Sequence, residues 1–321
     1  MNNYIAIEYP YYNLYYNLNK REILKLILEY KPKIYNEIPN ILLKYKLEKY
    51  DNKYFIIKEN YLETYIINNL TDYFSEKVRI KCRFGNNISL YQYWNNKKLE
   101  IIQETVHKYS HLDIYNLRET IYHNMKGCNN FRITVAITVL KYFNPKKWLD
   151  ISAGWGDRLL SAIFSKIKLY VSTDPNLDLH PCYDDIINTF VSPSKRKNFI
   201  IYKNGFLEAP IEEMNFDIVF SSPPFFTLEK YSSFKENSII KHKTEKEWCD
   251  NFFAKSLIKS YNHLKKNGHM ILYMGGSDYV MKKMFLLNKV MEYKGIIYFY
   301  EKDPRAMYVW KKIKNDIIME L

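Results

Sequence analysis

The sequence is poor in cysteine and glycine, and it contains no long hydrophobic run. Its 321 residues include four cysteines and nine glycines, so a collagen-like repeat is excluded. Cys82, Cys128, Cys182 and Cys249 lie far apart without a C-x-x-C pair, which argues against a disulfide framework and a zinc ribbon. The longest apolar stretch, about 133–140, is far shorter than the roughly 20 residues that span a bilayer, and the start lacks a signal-peptide pattern. We therefore expect an intracellular, cytoplasmic protein without membrane contact.

Arginine is scarce as well, although the chain is basic. Eight of the 48 basic residues are arginine, and 35 acidic residues leave a formal net charge of +13. A surplus of positive charge favours a polyanionic partner, because phosphate neutralisation releases counterions. The abundance of Lys, Asn, Ile and Tyr is also typical of an AT-rich genome, whose codon bias raises the charge without selection for nucleic acid. Both interpretations stay open at this point.

The first part of the chain, residues 1–128, has a mainly helical pattern. Apolar residues at three- and four-residue spacing predict helices over 21–30, 38–50, 61–74 and 99–109. A short strand is predicted over 77–84. His107 and His111 lie four residues apart near the last helix, but no H-E-x-x-H motif accompanies them, and we expect solvated histidines and no metal site.

The second part, residues 129–321, alternates short apolar runs with helical patterns. This alternation predicts βαβ units and a doubly wound parallel sheet in an α/β fold. Predicted strands cover 148–152, 169–173, 199–202, 217–220, 269–273, 296–300 and 307–310, and predicted helices cover 157–164, 184–190, 245–264 and 279–292. Because such sheets bind ligands at the carboxyl ends of their strands, we expect the chemistry there.

The first two of these strands end in residues suited to a nucleoside. The turn at 150–156 contains Gly154 and Gly156, which allow a ligand close to the backbone, and the helix that follows offers free amides to an anion. Asp174 ends the second strand and can accept hydrogen bonds from ribose hydroxyls. Leu159 stands where a dinucleotide motif would have its third glycine, which disfavours a pyrophosphate. In isolation, the turn could equally be a tight connection without a ligand.

The fourth strand is followed by two prolines and two phenylalanines. Pro223 and Pro224 lack amide hydrogens, stop the strand and hold Ser222 and the nearby carbonyls at its end. A hydroxyl and carbonyls here can accept hydrogen bonds from an exocyclic amine, while Phe225 can stack on a base removed from its helix. The alternative is a proline-terminated strand followed by two core phenylalanines.

Three segments together resemble the class I S-adenosylmethionine-dependent amino-methyltransferases. They are D-x-S-A-G-W-G-D-R-L at 150–159, Asp174-Pro175-Asn176, and S-S-P-P-F-F-x-L-E-x-Y at 221–231. That family methylates adenine-N6 or cytosine-N4 with a [D/N/S]-P-P-[Y/F/W] motif, and the similarity is greatest to phage- and large-virus-like members. The resemblance covers about 130–311. It implies a seven-stranded Rossmann-like methyltransferase sheet in a catalytic domain, 129–321, after a mainly helical N-terminal domain, 1–128, that could bind the substrate.

The resemblance also implies roles for individual residues, in a reaction that needs no metal. S-adenosylmethionine would contact Phe131, Arg132, Asp150, Ser152, Ala153, Gly154, Trp155, Gly156, Asp174, Pro175, Asn176, Gly205 and Phe206. The target amine would meet the catalytic residues Ser222, Pro223, Pro224 and Phe225. Phe226, Glu229 and Tyr231 would contact the substrate.

The expected function is methylation of the exocyclic amine of a nucleic-acid base, with adenine-N6 preferred. DNA and RNA both stay open as partners, because the large recognition segment of sequence-specific DNA members is missing here. A non-catalytic nucleic-acid-binding subunit and a protein glutamine methyltransferase, which uses a similar N-P-P-Y turn, are the alternatives. A protein partner and a viral protein in the host cytoplasm are both compatible with this interpretation.

Overall fold

The computed structural model of the protein describes residues 2–14, 19–29, 33–35, 53–57, 61–211, 215–226, 228–231, 237–298 and 305–314. The helices are α1 Asn2–Ile5, α2 Lys20–Glu29, α3 Tyr61–Asn68, α4 Asp72–Arg79, α5 Leu90–Tyr109, α6 Ile114–Asn124, α7 Ile133–Phe143, α8 Asp157–Ile163, α9 His180–Phe190, α10 Ser238–Lys241, α11 Glu245–Trp248, α12 Ala254–His263 and α13 Asp278–Phe285. The strands are β1 Lys33–Tyr35, β2 Lys53–Ile57, β3 Arg83–Phe84, β4 Lys147–Asp150, β5 Leu169–Thr173, β6 Phe199–Tyr202, β7 Phe216–Ser221, β8 Glu229–Lys230, β9 Leu264–Met274, β10 Met291–Tyr298 and β11 Ala306–Lys312. A π-helical turn, Cys249–Phe253, joins α11 to α12.

The sheet contains the seven predicted strands in one layer. Its order in the described residues is β1-β2-β10-β11-β9-β7-β4-β5-β6, and β3 and β8 form a separate two-stranded ribbon. From β9 to β6 neighbouring strands are parallel, whereas β11 runs antiparallel to both β9 and β10. The predicted seven-stranded Rossmann-like sheet after a mainly helical N-terminal region is confirmed. The two strands that extend it beyond β10, β1 and β2, were not predicted.

The central strands are buried on both faces, as parallel strands between helices must be. In β7 five of six residues are buried, and the indole of Trp148 stacks on Phe220 with ring centroids 5.4 Å apart and donates a hydrogen bond to its carbonyl at 2.8 Å. Gly156 begins α8 with φ +100°, and a β-carbon there would lie 2.8 Å from Ile186 Cδ1 of α9. Only glycine allows both the conformation and this close approach.

Several predicted element boundaries are wrong. The helix predicted over 61–74 is interrupted, because α3 ends at Asn68 and α4 begins at Asp72. The strand predicted over 77–84 is wrong except for Arg83–Phe84, since α4 continues to Arg79. The helix predicted over 279–292 ends at Phe285, and residues from Met291 onward belong to β10. The helix predicted over 38–50 lies outside the described residues.

Helices α5, α6 and α7 differ from the predictions, α5 in its extent and α6 and α7 because no helix was predicted there. Helix α5 begins at Leu90, earlier than residue 99, because Ser89 and Gln92 form a capping box at its start. Helix α7 was not predicted, because its first eight residues are apolar or threonine and all are buried, so they show no amphipathic period. His107 is exposed on α5, whereas His111 lies beyond its end.

Helices α4 and α6 are joined by a buried network of two carboxylates and two guanidinium groups. Arg79 makes a bidentate contact with Asp72, with Nη2 2.8 Å from both carboxylate oxygens. Arg118 donates to Glu76 and, at 3.3 Å, to Asp72. All four side chains are at most 4% exposed. The network is neutral in charge and uses most of its hydrogen-bonding groups, as a buried ionic cluster requires.

No helix among the described residues is long and apolar enough to cross a membrane. Ile67, Leu70 and Cys82 from the N-terminal region belong to the same hydrophobic core as the sheet. The division of the chain at 128/129 stays a prediction.

Candidate active site

A cavity of about 530 Å³ opens at the carboxyl ends of the parallel strands. Such a volume is typical of small-molecule sites. The predicted site residues that line it are Phe131, Arg132, Ser152, Gly154, Trp155, Asp174, Pro175, Asn176, Gly205, Phe206, Ser222, Pro224, Phe225, Glu229 and Tyr231. The predicted residues that are not among its lining residues are Asp150, Ala153, Gly156, Pro223 and Phe226. Residues from four strand ends and the N-terminal helices therefore meet in one place.

Asp150 supports the turn at 150–156, which we call the glycine turn. Its carboxylate is fully buried and accepts hydrogen bonds from Arg158 Nε and from the Tyr170 hydroxyl, both at 2.8 Å. The guanidinium of Arg158 also donates to the carbonyl of Ser152. Asp150 thus fixes the backbone of the turn through Arg158, and its position supports a structural role here.

Asp174 has the environment of a hydrogen-bond acceptor at a ligand site. Its carboxylate accepts from the backbone amide of Asn176 at 2.9 Å and also interacts with the amide of Gly154. The Tyr183 hydroxyl lies 2.9 Å from the other oxygen. Burial raises the pKa of Asp174 to about 6, against the lowering effect of these hydrogen bonds. The carboxylate is therefore ionised at neutral pH but loses its charge in mild acid.

Asp157, at the first position of α8, connects the sheet to the N-terminal helices. It accepts a hydrogen bond from Thr71 Oγ1 at 2.5 Å and from the amide of Phe131 at 3.2 Å. Burial raises the pKa of Asp157 to about 7. Because Asp157 lines the cavity, its ionisation affects the charge that a ligand meets.

The segment 129–132 is held by the buried network of α4 and α6. Arg79 Nη1 donates to the Cys128 carbonyl at 2.8 Å, and Asn130 Nδ2 donates to Asp72 at 2.9 Å. Asn130 Oδ1 is buried and has no partner among the described residues, and the same is true of Nδ2 of Asn68 on α3. Both residues line the cavity, so these two polar atoms are available to a ligand that reaches them.

The Ser-Pro-Pro-Phe turn is tied directly to the glycine turn. Ser152 Oγ donates to the Ser222 carbonyl at 2.9 Å, which joins the ends of β4 and β7. The Phe225 ring meets Tyr273 edge-on with centroids 6.3 Å apart. The guanidinium carbon of Arg305 lies 5.3 Å from the centroids of both rings. The guanidinium group of Arg305 thus packs against the Phe225 and Tyr273 rings at the cavity wall.

Glu229 and Tyr231 close the cavity on the side of the ribbon β3–β8. The Glu229 carboxylate interacts with the Tyr231 hydroxyl, the Asn129 amide and the charge of Arg305, yet burial raises its pKa. The Tyr231 ring lies 5.8 Å from Trp155 of the glycine turn. Two of the three predicted substrate residues, Glu229 and Tyr231, therefore border the same cavity as most of the predicted cofactor residues, whereas Phe226 does not.

The loop after β6 is fixed by a lysine from α12. Lys259 Nζ donates to the carbonyls of Phe206, Leu207 and Ala209 at 2.9, 3.0 and 2.7 Å, and lies 5.4 Å from the Phe206 ring. These contacts hold Phe206 and Leu207 at the cavity, where Leu179 adds a further apolar side chain.

Several residues that line the cavity or hold its walls were not predicted, and most of them are remote in sequence from the motifs. Among them are Tyr65, Asn68, Asn69, Thr71, Asn129, Asn130, Asp157, Arg158, Lys259, Tyr273 and Arg305. Of these, only Asp157 and Arg158 lie within a motif, so the motif carried a signal for these two alone. Among the residues that the structure describes, no three His, Cys, Asp or Glu side chains are grouped to hold a metal ion.

Comparisons with known proteins give structural similarity without sequence similarity. No protein-family model matches the sequence, and no curated protein matches it. Solved structures that are similar include TrmN from Thermus thermophilus, with 13% identity, a TM-score of 0.43, and 57% of this chain and 49% of that chain covered. The N-methyltransferase NodS from Bradyrhizobium japonicum WM9 is 9% identical with a TM-score of 0.39, covering 57% of this chain and 95% of that one.

A third similar structure is the tRNA m1G37 methyltransferase from M. jannaschii, with 15% identity, a TM-score of 0.37, and 56% and 49% coverage of this chain and that chain. The matched part thus spans about half the length of TrmN and of the tRNA enzyme. At these values the similarity is distant, and the fold assignment depends on the strand order given above.

Proposed function

We propose that the protein is an S-adenosylmethionine-dependent methyltransferase that acts on the exocyclic amine of a nucleic-acid base, with adenine-N6 preferred. One observation carries this proposal: the glycine turn, Asp174 and the Ser-Pro-Pro-Phe turn, which are far apart in sequence, line a single cavity. Direct transfer of a methyl group requires that the methyl donor and the accepting amine bind next to each other, and one shared cavity allows this.

The lining residues fit the cofactor by their chemistry. The Asp174 carboxylate is a strong acceptor for the ribose hydroxyls, and Leu179 and Phe206 offer apolar surface to the adenine. The backbone of Ser152 to Gly154 and the unpaired Oδ1 of Asn130 suit the polar methionine part. When bound there, S-adenosylmethionine would supply a methyl group carried on a positively charged sulfur.

The residues after β7 suit the target amine. The Ser222 hydroxyl and the Pro223 carbonyl would accept hydrogen bonds from the amine and direct its lone pair, and Phe225 would stack on the base. Because the prolines fix the backbone of this turn, its acceptors need little rearrangement during the reaction. Positioning and electrostatics would thus provide most of the rate enhancement.

The net charge of +13 supports a nucleic-acid substrate over a protein or small-molecule substrate. To test this, the purified protein is incubated with methyl-labelled S-adenosylmethionine and separate pools of double-stranded DNA, single-stranded DNA, uncapped RNA and capped RNA. Each pool is then digested to nucleosides for mass spectrometry. We expect an N-methylated adenine nucleoside in at least one pool.

The other outcomes point to the alternatives. Cofactor binding without methylation of any pool would contradict the proposal and favour a non-catalytic nucleic-acid-binding subunit. Label found only in a protein substrate, on glutamine, would favour the protein methyltransferase. An N-methylated cytosine would support methylation of an exocyclic amine but would show that the target base is cytosine and not adenine.

A further inference from the structure

Two asparagine side chains that precede the parallel strands line the cavity with a polar atom that lacks a partner. Asn68, on α3, is 8% exposed, and its Nδ2 has no hydrogen-bond partner among the described residues. The same holds for Oδ1 of Asn130. Because a buried polar group without a partner costs free energy, such an atom in a cavity wall indicates a ligand or an ordered water that completes it.

The contacts of both amides determine which atom is left over. Asn68 Oδ1 accepts from the amide and the hydroxyl of Thr134, at 3.1 and 3.0 Å. Since a backbone amide can only donate, Asn68 must turn its oxygen toward Thr134. Asn130 Nδ2 donates to the carboxylate of Asp72 at 2.9 Å, which can only accept. One donor, Nδ2 of Asn68, and one acceptor, Oδ1 of Asn130, therefore remain for a ligand.

The same contacts place both asparagines beside the glycine turn. The segments 68–72 and 130–134 run side by side in opposite directions, because residue 68 is bonded to residue 134 and residue 72 to residue 130. Between these two ends, Asp157 accepts from Thr71 Oγ1 at 2.5 Å and from the Phe131 amide at 3.2 Å. Asp157 lines the cavity and directly follows the glycine turn. A donor, a carboxylate and an acceptor thus belong to one corner of the cavity.

This set of groups is complementary to an α-amino acid. S-adenosylmethionine carries one at the end remote from its adenine, with a carboxylate that accepts hydrogen bonds and an ammonium group that donates them. Asn68 Nδ2 matches the carboxylate, whereas Asn130 Oδ1 and the Asp157 carboxylate match the ammonium group. Burial raises the pKa of Asp157 to about 7, and a bound ammonium group would favour its ionised form.

We infer that the corner formed by Asn68, Asn130 and Asp157 binds the α-amino acid end of S-adenosylmethionine, with Asn68 Nδ2 donating to the carboxylate. This inference rests on the proposed function, since it takes the cofactor from there. Through α3, the N-terminal region takes part in binding the methyl donor, in addition to any contact with the substrate. The corner positions the cofactor and has no part in the transfer itself, so its substitution should change the affinity for every ligand with this amino acid end.

The test compares the binding of two ligands by isothermal titration calorimetry at pH 8. S-adenosylhomocysteine carries the amino acid end, whereas 5′-methylthioadenosine lacks it. Asn68→Asp replaces the donor by an acceptor of nearly the same shape and keeps an oxygen for Thr134. Asn69→Asp is the matched control, because it adds the same charge at the next cavity-lining residue, whose Nδ2 already donates to the Tyr65 carbonyl at 2.8 Å.

We expect Asn68→Asp to bind S-adenosylhomocysteine about 10- to 100-fold more weakly than the wild type, because two carboxylates replace a hydrogen bond to a charged group. Its affinity for 5′-methylthioadenosine, and the affinity of Asn69→Asp for both ligands, should stay within about threefold. Thermal unfolding without ligand identifies a variant that does not fold. In that case Asn68→Ala, which adds no charge, should show a loss of about tenfold for S-adenosylhomocysteine alone.

Equal affinity of the Asn68 and Asn69 variants for S-adenosylhomocysteine would overturn the inference and assign a water molecule to the unpaired Nδ2. An equal loss for both ligands would also overturn it, because the role of Asn68 would then be structural. A wild-type protein that binds neither ligand would contradict the proposed function as well. Calorimetry involves no methyl transfer, so a selective loss in Asn68→Asp would stand even if no nucleoside is methylated.

Discussion

The two walls of the cavity are built from different kinds of contact. The wall from the sheet uses polar residues that come directly after a strand, such as Asp174 after β5 and Ser222 after β7. The wall from the N-terminal helices depends on pairs that are remote in sequence, such as Thr71 with Asp157 and Arg118 with Asp72. A strand end fixes its residues locally, whereas the helical wall is fixed only when the whole region has folded.

Folding stability and the proposed chemistry therefore depend on different walls of the cavity. The buried network of α4 and α6 contacts Cys128 and Asn130, and it thereby positions the segment 129–132 at the cavity. The residues proposed to touch the reacting groups lie on the other wall. Substitutions in the network should therefore act first on folding, and substitutions at the strand ends on binding and turnover.

The largest effect is expected for Arg79→Met in the helical wall. It leaves Asp72 buried without its bidentate partner, which should lower the free energy of unfolding by about 3–5 kcal/mol in urea denaturation. Lys97→Met, which removes an exposed ion pair with Glu100, is the control and should have little measurable effect. Similar losses in both variants would show that the buried network has no special role.

The next effect is expected for Phe225→Ala in the sheet wall. Loss of a stacking surface worth about 1–3 kcal/mol should lower kcat/KM for methylation by up to about 100-fold, while the Kd for S-adenosylmethionine stays within about threefold. Phe226→Ala is the matched control, because Phe226 packs against Trp248 and is not among the cavity-lining residues. Parallel loss of cofactor binding in Phe225→Ala would instead assign a structural role to this ring.

A smaller effect with a distinctive pH dependence is expected for Asp174→Asn. Loss of a charge-assisted hydrogen bond should weaken S-adenosylmethionine binding about tenfold at pH 8 in isothermal titration calorimetry. In the wild type, binding should weaken as the pH falls through about 6, because the carboxyl group gains a proton there and loses an acceptor.

The variant should show no such step near pH 6, whereas a residual change near pH 7 is expected from Asp157. Asp178→Asn, at an exposed position close in sequence, should behave like the wild type. A wild-type profile that is flat across pH 6 would remove Asp174 from the ribose site.

The smallest effect is expected where the walls meet. Thr71→Val removes the hydroxyl that donates to Asp157 and should lower stability by about 1 kcal/mol and cofactor affinity a few-fold, read from urea denaturation and calorimetry. In the control Thr138→Val, the lost hydroxyl bonds only to the Thr134 carbonyl within α7, so cofactor affinity should not change. If both variants bind the cofactor equally well, the contact between the walls does not affect the site.

The sheet and its strand-end residues could be predicted because their signals are local. The predicted strands 169–173 and 199–202 match β5 and β6. In a βαβ pattern, a short apolar run between turn residues is too short for a helix and therefore indicates a buried strand. Gly154, Asp174 and Ser222 line one cavity because the carboxyl ends of parallel strands share one edge.

The helical wall could not be predicted, because its contacts depend on tertiary packing. In the sequence, Asp72 falls in the helix predicted over 61–74 and Arg79 in the strand predicted over 77–84, and nothing nearby indicates that they pair or that Arg118 joins them. Asp150 was expected to meet the cofactor, but its buried contact with Tyr170 is visible only in three dimensions. The roles of individual site residues stay predictions until binding and turnover are measured.

The proposed function requires that an exocyclic amine of a nucleic-acid base receives the methyl group. The most direct test is a single-turnover reaction of the protein with S-adenosylmethionine carrying a ¹³C-methyl group and an adenine-containing strand, followed by NMR and mass spectrometry of the product nucleoside. We expect a methyl carbon bonded to the N6 nitrogen of adenine. A methyl group on a ring nitrogen, a ring carbon or the ribose 2′-oxygen would contradict it.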